Sequence, residues 1–161
     1  MLKHPFPPIY NKNSKILILG SFPSVKSREQ MFFYGHPQNR FWKVISAVLE
    51  CCEPETIEEK QTLLLEHGIA LWDVIASCEI NGSADSSIKN VVVNDLSKIL
   101  READIRQIFV NGKTAEKYFK KHTKFLINRD AVCLPSTSPA NAAWSLNKLI
   151  EKWSVIKSML L

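Results

Sequence analysis

A chain of 161 residues with 45% hydrophobic content has apolar material for one packed domain. Its 21 Lys and Arg against 16 Asp and Glu leave a net charge of +5, which suits a nucleic-acid partner without requiring one. No apolar run approaches the roughly 20 residues of a membrane span, and the first eight residues lack the apolar core of a signal peptide, so a cytoplasmic location without membrane partners is expected.

In chain order, residues 1–12 begin with a proline-rich stretch that reads as an extended arm. Residues 15–20 form a short apolar run, consistent with a strand buried on both faces. Phe41, Val44, Ile45 and Val48 fall at helical spacing. A second helix is predicted over 56–67, with Thr56 and Glu59 as a capping box and Gly68 as its stop. Residues 69–73 read as the next strand, and 79–90, rich in Ser, Asn and Gly, as the longest loop. Asn94 is placed to cap a short helix carrying Leu96, Ile99 and Leu100. Residues 106–111 make a third strand, followed by a helix with Ala115, Tyr118 and Phe119 on one face. Residues 131–134 make a fourth. Ser138 is placed as N-cap and Pro139 as first residue of a last helix that buries Leu146, Leu149, Ile150, Trp153 and Ile156.

Strands alternating with helices imply an α/β fold: a three-layer α/β/α sandwich about a central four-stranded, mostly parallel sheet, in one domain over 1–161. Ligands of such sheets bind beyond the carboxyl ends of the strands. Those ends carry Gly20-Ser21, Asp73, Asn111-Gly112 and Pro135-Ser136, and the segment with Tyr34, His36 and Asn39 must pass over the same edge. Each residue also has a plain structural reading: Asn39 as a helix cap, Asn111 as a turn former, Tyr34 as core and His36 as an exposed loop residue. Their convergence on one edge favours a site. Neither G-x-G-x-x-G nor G-x-x-x-x-G-K-[ST] is present, and Cys51, Cys52, Cys78 and Cys133 form no C-x-x-C pair. Amides, hydroxyls and an aromatic ring suit stacking and hydrogen bonding of an extruded nucleobase.

Four stretches resemble the uracil-DNA glycosylase superfamily, most of all its hypoxanthine-DNA glycosylase branch: Gly20-Ser21-Phe22-Pro23-Ser24, Gly35-His36-Pro37-Gln38-Asn39-Arg40-Phe41-Trp42, Leu71-Trp72-Asp73-Val74 and Leu134-Pro135-Ser136-Thr137-Ser138-Pro139-Ala140-Asn141. The resemblance implies a glycosylase that hydrolyses the N-glycosidic bond of deaminated bases in DNA, chiefly hypoxanthine, by base flipping. In the mismatch-specific uracil branch the first motif holds an Asn that positions water. Here Phe22 stands there, and the essential amide of the hypoxanthine branch maps onto Asn39. The last motif starts with Leu134 where uracil enzymes carry Asn or His. Expected roles are Asn39 in catalysis, Tyr34 stacked on the base, and Phe22, Asp73 and Asn111 around it. Ser136 and Ser138 are expected to hold DNA phosphates, with Ser24 and Arg40 as further candidates. Some branches hold an iron–sulfur cluster; the four cysteines here are not in those positions, so neither metal, cluster nor cofactor is expected. The partner is DNA and the default state a monomer. A uracil or G:U mismatch glycosylase is the nearest alternative. A non-catalytic nucleic-acid or small-ligand module comes next, then a nucleoside hydrolase.

Overall fold

The computed structural model describes residues 1–161. Its central sheet is built from β2 (Ile16–Gly20), β3 (Ile69–Asp73), β6 (Gln107–Asn111) and β7 (Val132–Leu134), in the order β3-β2-β6-β7, every pair parallel. The four strands expected from sequence are these four.

Successive side chains of a strand point to opposite faces, and β2 divides the core accordingly. Ile16 and Ile18 join Phe41, Leu64 and Trp153 in one cluster, under α2 (Phe41–Val48), α3 (Ile57–Glu66) and α7 (Leu146–Trp153). Leu17 and Leu19 join Ile99, Ala115 and Phe119 in the other, under α4 (Ser97–Glu102) and α5 (Lys113–Tyr118). All four side chains are fully buried. Burying one such side chain contributes roughly 1.5–3 kcal/mol, so the central strand anchors both layers. The predicted three-layer arrangement is present. No helix is long and apolar enough to cross a membrane.

Local chemistry explains the helix ends. The Thr56 hydroxyl accepts from Glu59 N–H at 3.0 Å and starts α3; Gly68, at φ +75°, follows its end. A π-helical turn over Phe119–Thr123 links α5 to α6 (Lys124–Ile127). The chain closes with α8 (Lys157–Leu160).

Three expectations change. The helix expected from Ser138 is α7, which starts only at Leu146 with Ser145 as its cap, so Ser138 and Pro139 sit in a loop and Leu146, expected to be buried, is exposed at the helix start. The Ser138 hydroxyl instead accepts from Ala140 N–H at 3.2 Å in a local turn. Asn94 caps nothing: its buried amide donates to the carbonyls of Asp73 (2.8 Å) and Ile75 (3.3 Å), while Asp95 accepts from Ser97 N–H at the start of α4. Finally, a second sheet exists. β1 (Leu2–Lys3), β4 (Ile75–Glu79) and β5 (Lys89–Val93) pair antiparallel in the order β1-β4-β5. The positive φ of Asn90 (53°) and register shifts along β4 break the alternation that would have marked these strands. The arm is thereby sewn into the fold: β1 lies on β4, and Ile9 exchanges 2.9 Å backbone hydrogen bonds with Leu71 of β3.

Candidate active site

After β2 the chain moves outward to β3 on one side, then returns to place β6 on the other side of β2. The reversal opens a crevice at the carboxyl ends of these strands. A cavity of about 290 Å³ occupies it, lined by Gly20, Asp73 and Asn111 from three strand ends and by Thr137 beyond the fourth. Tyr34, His36 and Asn39 close it from above, and Phe22, Ser24 and Ser138 also line it. Gly20 makes the approach possible. A Cβ there would lie 2.4 Å from Asp73 Oδ1 and 2.8 Å from the Tyr34 hydroxyl.

A chain of hydrogen bonds runs across this cavity, and its polarity is forced. Thr137 N–H donates to Asn111 Oδ1 at 3.1 Å, which makes Asn111 Nδ2 the donor end. That amide donates to Thr137 Oγ1 at 3.1 Å and to the Tyr34 hydroxyl at 3.2 Å. The Thr137 hydroxyl proton therefore goes to Asn39 Oδ1, at 2.9 Å. Asn39 Oδ1 also accepts Phe41 N–H at 2.9 Å, at the start of α2. Both lone pairs of the Asn39 carbonyl are thus filled, and its NH₂ group is left for a ligand. The N-cap position of α2 falls on Arg40, which makes no side-chain cap bond; Asn39, one residue earlier, satisfies the helix start with its carbonyl and faces the cavity with its amide. Thr137 is fully buried with all its polar groups satisfied, since Arg40 N–H donates to its carbonyl at 3.0 Å. It escaped the sequence reading because a Ser-Thr-Ser run looks like generic capping.

Tyr34 holds a left-handed backbone, φ 53°, uncommon for a bulky residue. Stacking offsets that strain: its ring lies 4.1 Å from Phe41, nearly parallel at 17°. Phe41, fully buried, covers one face of Tyr34. Burial pushes the phenol well above its ordinary range, the nearby Asp73 charge adds to this, and the Asn111 hydrogen bond opposes it. The hydroxyl is neutral at any working pH; it accepts from Asn111 and keeps its own proton to donate.

Asp73, 4% exposed, receives His4 Nε2 at 2.7 Å on Oδ2. Its other oxygen is the one beneath Gly20. His4 was unmarked in sequence, because only tertiary folding brings residue 4 to residue 73. The loop after β4 supplies another unforeseen wall, with Ile80, Ser83 and Asp85 lining the cavity. It is tied to α1 (Val25–Gln30): Ser83 Oγ accepts Val25 N–H at 2.9 Å, and Arg28 donates to Gly82 O at 2.6 Å.

The residues expected at phosphates divide. Ser24 lines the cavity but caps α1, accepting from Ser27 N–H at 3.2 Å. Ser138 lines it too, whereas Ser136 packs against Gly112 and accepts Ser138 N–H at 3.1 Å. Arg40 faces inward. Its guanidinium donates to the carbonyls of Trp144, Asn141 (3.1 Å) and Ser138 (3.5 Å), so it clamps the 138–144 loop. Asn141 adds a 2.9 Å hydrogen bond to Ser136 O. No group of three or more His, Cys, Asp or Glu side chains is placed to hold a metal ion.

The chain is similar to known proteins over nearly its whole length. A protein described as hypoxanthine DNA glycosylase from Methanosarcina acetivorans is 34% identical over 158 residues, covering 97% of this chain and 98% of its own. One of the same description from Methanosarcina barkeri is 29% identical over 154 residues, covering 90% and 97%. The solution NMR structure of a candidate uracil DNA glycosylase from Methanosarcina acetivorans superposes with a TM-score of 0.83 at 33% identity, covering 99% of both chains. The family model of the uracil DNA glycosylase superfamily matches residues 7–159. That span takes in every strand of the central sheet and every wall of the cavity, and the chain belongs to the uracil DNA glycosylase superfamily.

Proposed function

We propose that this protein is a DNA glycosylase that releases deaminated bases, hypoxanthine first among them, from an extruded nucleotide. The observation that carries this is the polarised chain from Asn111 through Thr137 to Asn39, which leaves the Asn39 NH₂ and the Tyr34 O–H as donors at one cavity. Breaking an N-glycosidic bond sends electron density into the departing base while the sugar becomes oxocarbenium-like. Fixed donors in a partly dehydrated site stabilise that developing charge without reorganising, and each such donor typically contributes about 10²–10³ in rate. Asn39 therefore acts as a donor, to the departing base or to the attacking water, since its carbonyl is already filled.

The cavity, about 290 Å³ and sunk between the strand ends and the loops above them, has room for a base taken out of its stack, which supports flipping. Deamination converts a bare ring nitrogen into an N–H beside a new carbonyl. Asp73 Oδ1 is an acceptor for that N–H and repels the lone pair of an undamaged adenine. Phe22 and Tyr34 supply aromatic surface for the ring, and Asn111 holds the Tyr34 hydroxyl in place. The clamped 138–144 loop, with Ser138 at its start, is the segment we assign to the DNA backbone, with Ser136 and Ser24 supporting their turns. The near full-length likeness to two proteins described as hypoxanthine DNA glycosylase supports the choice of base.

The test is incubation of the purified protein with otherwise identical duplexes carrying one deoxyinosine, deoxyuridine or deoxyxanthosine, followed by alkaline cleavage of abasic sites. Fastest release from the inosine duplex is expected. Faster release of uracil would reassign the branch, and salt-dependent binding without any abasic product would make the protein a binding module.

A further inference from the structure

We propose that the N-terminal arm is a working part of the active site, with His4 as a positioning residue for Asp73. The inference rests on the reading of Asp73 as the acceptor facing the base. The His4 and Asp73 side chains are 3% and 5% exposed, so each is the other's principal compensation for lost water. Nδ1 of His4 takes a long 3.5 Å contact from Phe6 N–H, which assigns the proton to Nε2, and Nε2–H donates to Asp73 Oδ2 at 2.7 Å. A carboxylate held by one oxygen has its plane fixed. The oxygen that remains, Oδ1, is the one under Gly20 beside Tyr34.

The backbone builds this placement deliberately from both sides. Leu2 and Lys3 pair with Cys78 and Ser77, His4 N–H donates to Ala76 O at 2.7 Å, and Ile9 bridges Leu71. Asp73 ends β3, so the arm is stitched to the two strands that flank the carboxylate. Around the imidazole stand Phe6 at 4.7 Å, Phe22 at 6.0 Å, Phe33 at 6.1 Å and Trp72 at 6.4 Å between ring centroids. These rings offer packing but no hydrogen bond to the imidazole, so Asp73 on Nε2, with the long Phe6 N–H contact on Nδ1, sets the orientation of His4. Phe22 also lines the cavity, which makes the arm contiguous with the base-facing wall.

The experiment is a double-mutant cycle on the full chain. His4→Phe fills the aromatic cage without a donor; His4→Gln restores an N–H donor at similar reach. With inosine duplex, His4→Phe is expected to lower kcat/KM roughly tenfold, the order of coupling between contacting residues, with unchanged affinity for undamaged duplex. His4→Gln recovers most of the loss, and in an Asp73→Ala background His4→Phe adds nothing. Thermal melting identifies any variant that loses activity by unfolding. Wild-type kcat/KM in a folded His4→Phe, an equal loss in both backgrounds, or failure of a folded His4→Gln to recover would each overturn the proposal. Should the wild type release no base from any duplex, the functional reading falls separately. The arm is then judged by the His4 Nε2–H resonance of nitrogen-15-labelled protein: a shift on adding inosine duplex sustains its place in the site, and none removes it.

Discussion

Asn39 separates two jobs that a simple alanine substitution would confuse. Its carbonyl caps α2 at Phe41 and takes the Thr137 proton; its NH₂ serves the cavity. Asn39→Ala removes all three interactions. Losing the cap costs about 1 kcal/mol, and stranding the buried Thr137 hydroxyl costs about 1 kcal/mol more. For a chain of this length that sum lowers Tm by about 4–8 °C. The loss of one placed donor lowers the excision rate by about 10²–10³. Asn39→Asp keeps both acceptor contacts and exchanges only the NH₂ for oxygen. It should melt close to the wild type, because a carboxylate also suits a helix start, yet lose as much activity as the alanine variant. The assay is single-turnover cleavage of a labelled inosine duplex, paired with thermal unfolding of the same samples. Wild-type excision by Asn39→Asp would show that the carbonyl side does the chemistry, and unchanged melting of Asn39→Ala would refute the capping argument.

Gly20→Ala places a Cβ 2.4 Å from Asp73 Oδ1 and 2.8 Å from the Tyr34 hydroxyl, so both must move. Misplacement of about 1 Å can cost on the order of 10²-fold in rate; single-turnover excision at the wild-type rate would mean that neither group matters. Arg40→Ala releases three loop carbonyls, and limited proteolysis should then cut within 138–144. Unaltered protection there would remove the clamp from the account. The raised folded-state pKa of Tyr34 means that the native protein holds a proton which the unfolded chain sheds above about pH 10. Stability is therefore full below that pH and falls as pH rises beyond it. Tyr34→Phe should flatten this alkaline decline in denaturant titrations, and an identical slope in both proteins would contradict the burial of the hydroxyl.

The sequence by itself determined the parts governed by local rules. Apolar runs ending in Gly, Asp and Asn placed three of the four central strands, because a strand buried on both faces has no polar alternation to obscure it. Thr56 and Gly68 marked α3 through capping chemistry that acts over three or four residues. Strand ends in a parallel sheet share one edge, so the strand pattern alone gathers Gly20, Asp73 and Asn111 there. Tertiary structure decided everything that depends on distant partners. The β4–β5 pair and the sewn-in arm are stabilised by pairing across the chain, with no strong local pattern. Ser138 looked like a helix cap because Ser-Pro is a sound local signal, but the clamp by Arg40 holds that stretch as a loop until Ser145. The same clamp turned inward a cation that looked free to meet phosphate. Above all, the direction of the Asn39 amide is set by Thr137 and Asn111, almost a hundred and over seventy positions along the chain. Hydrogen-bond polarity spreads through space from donor to acceptor, and no window of neighbouring residues contains it.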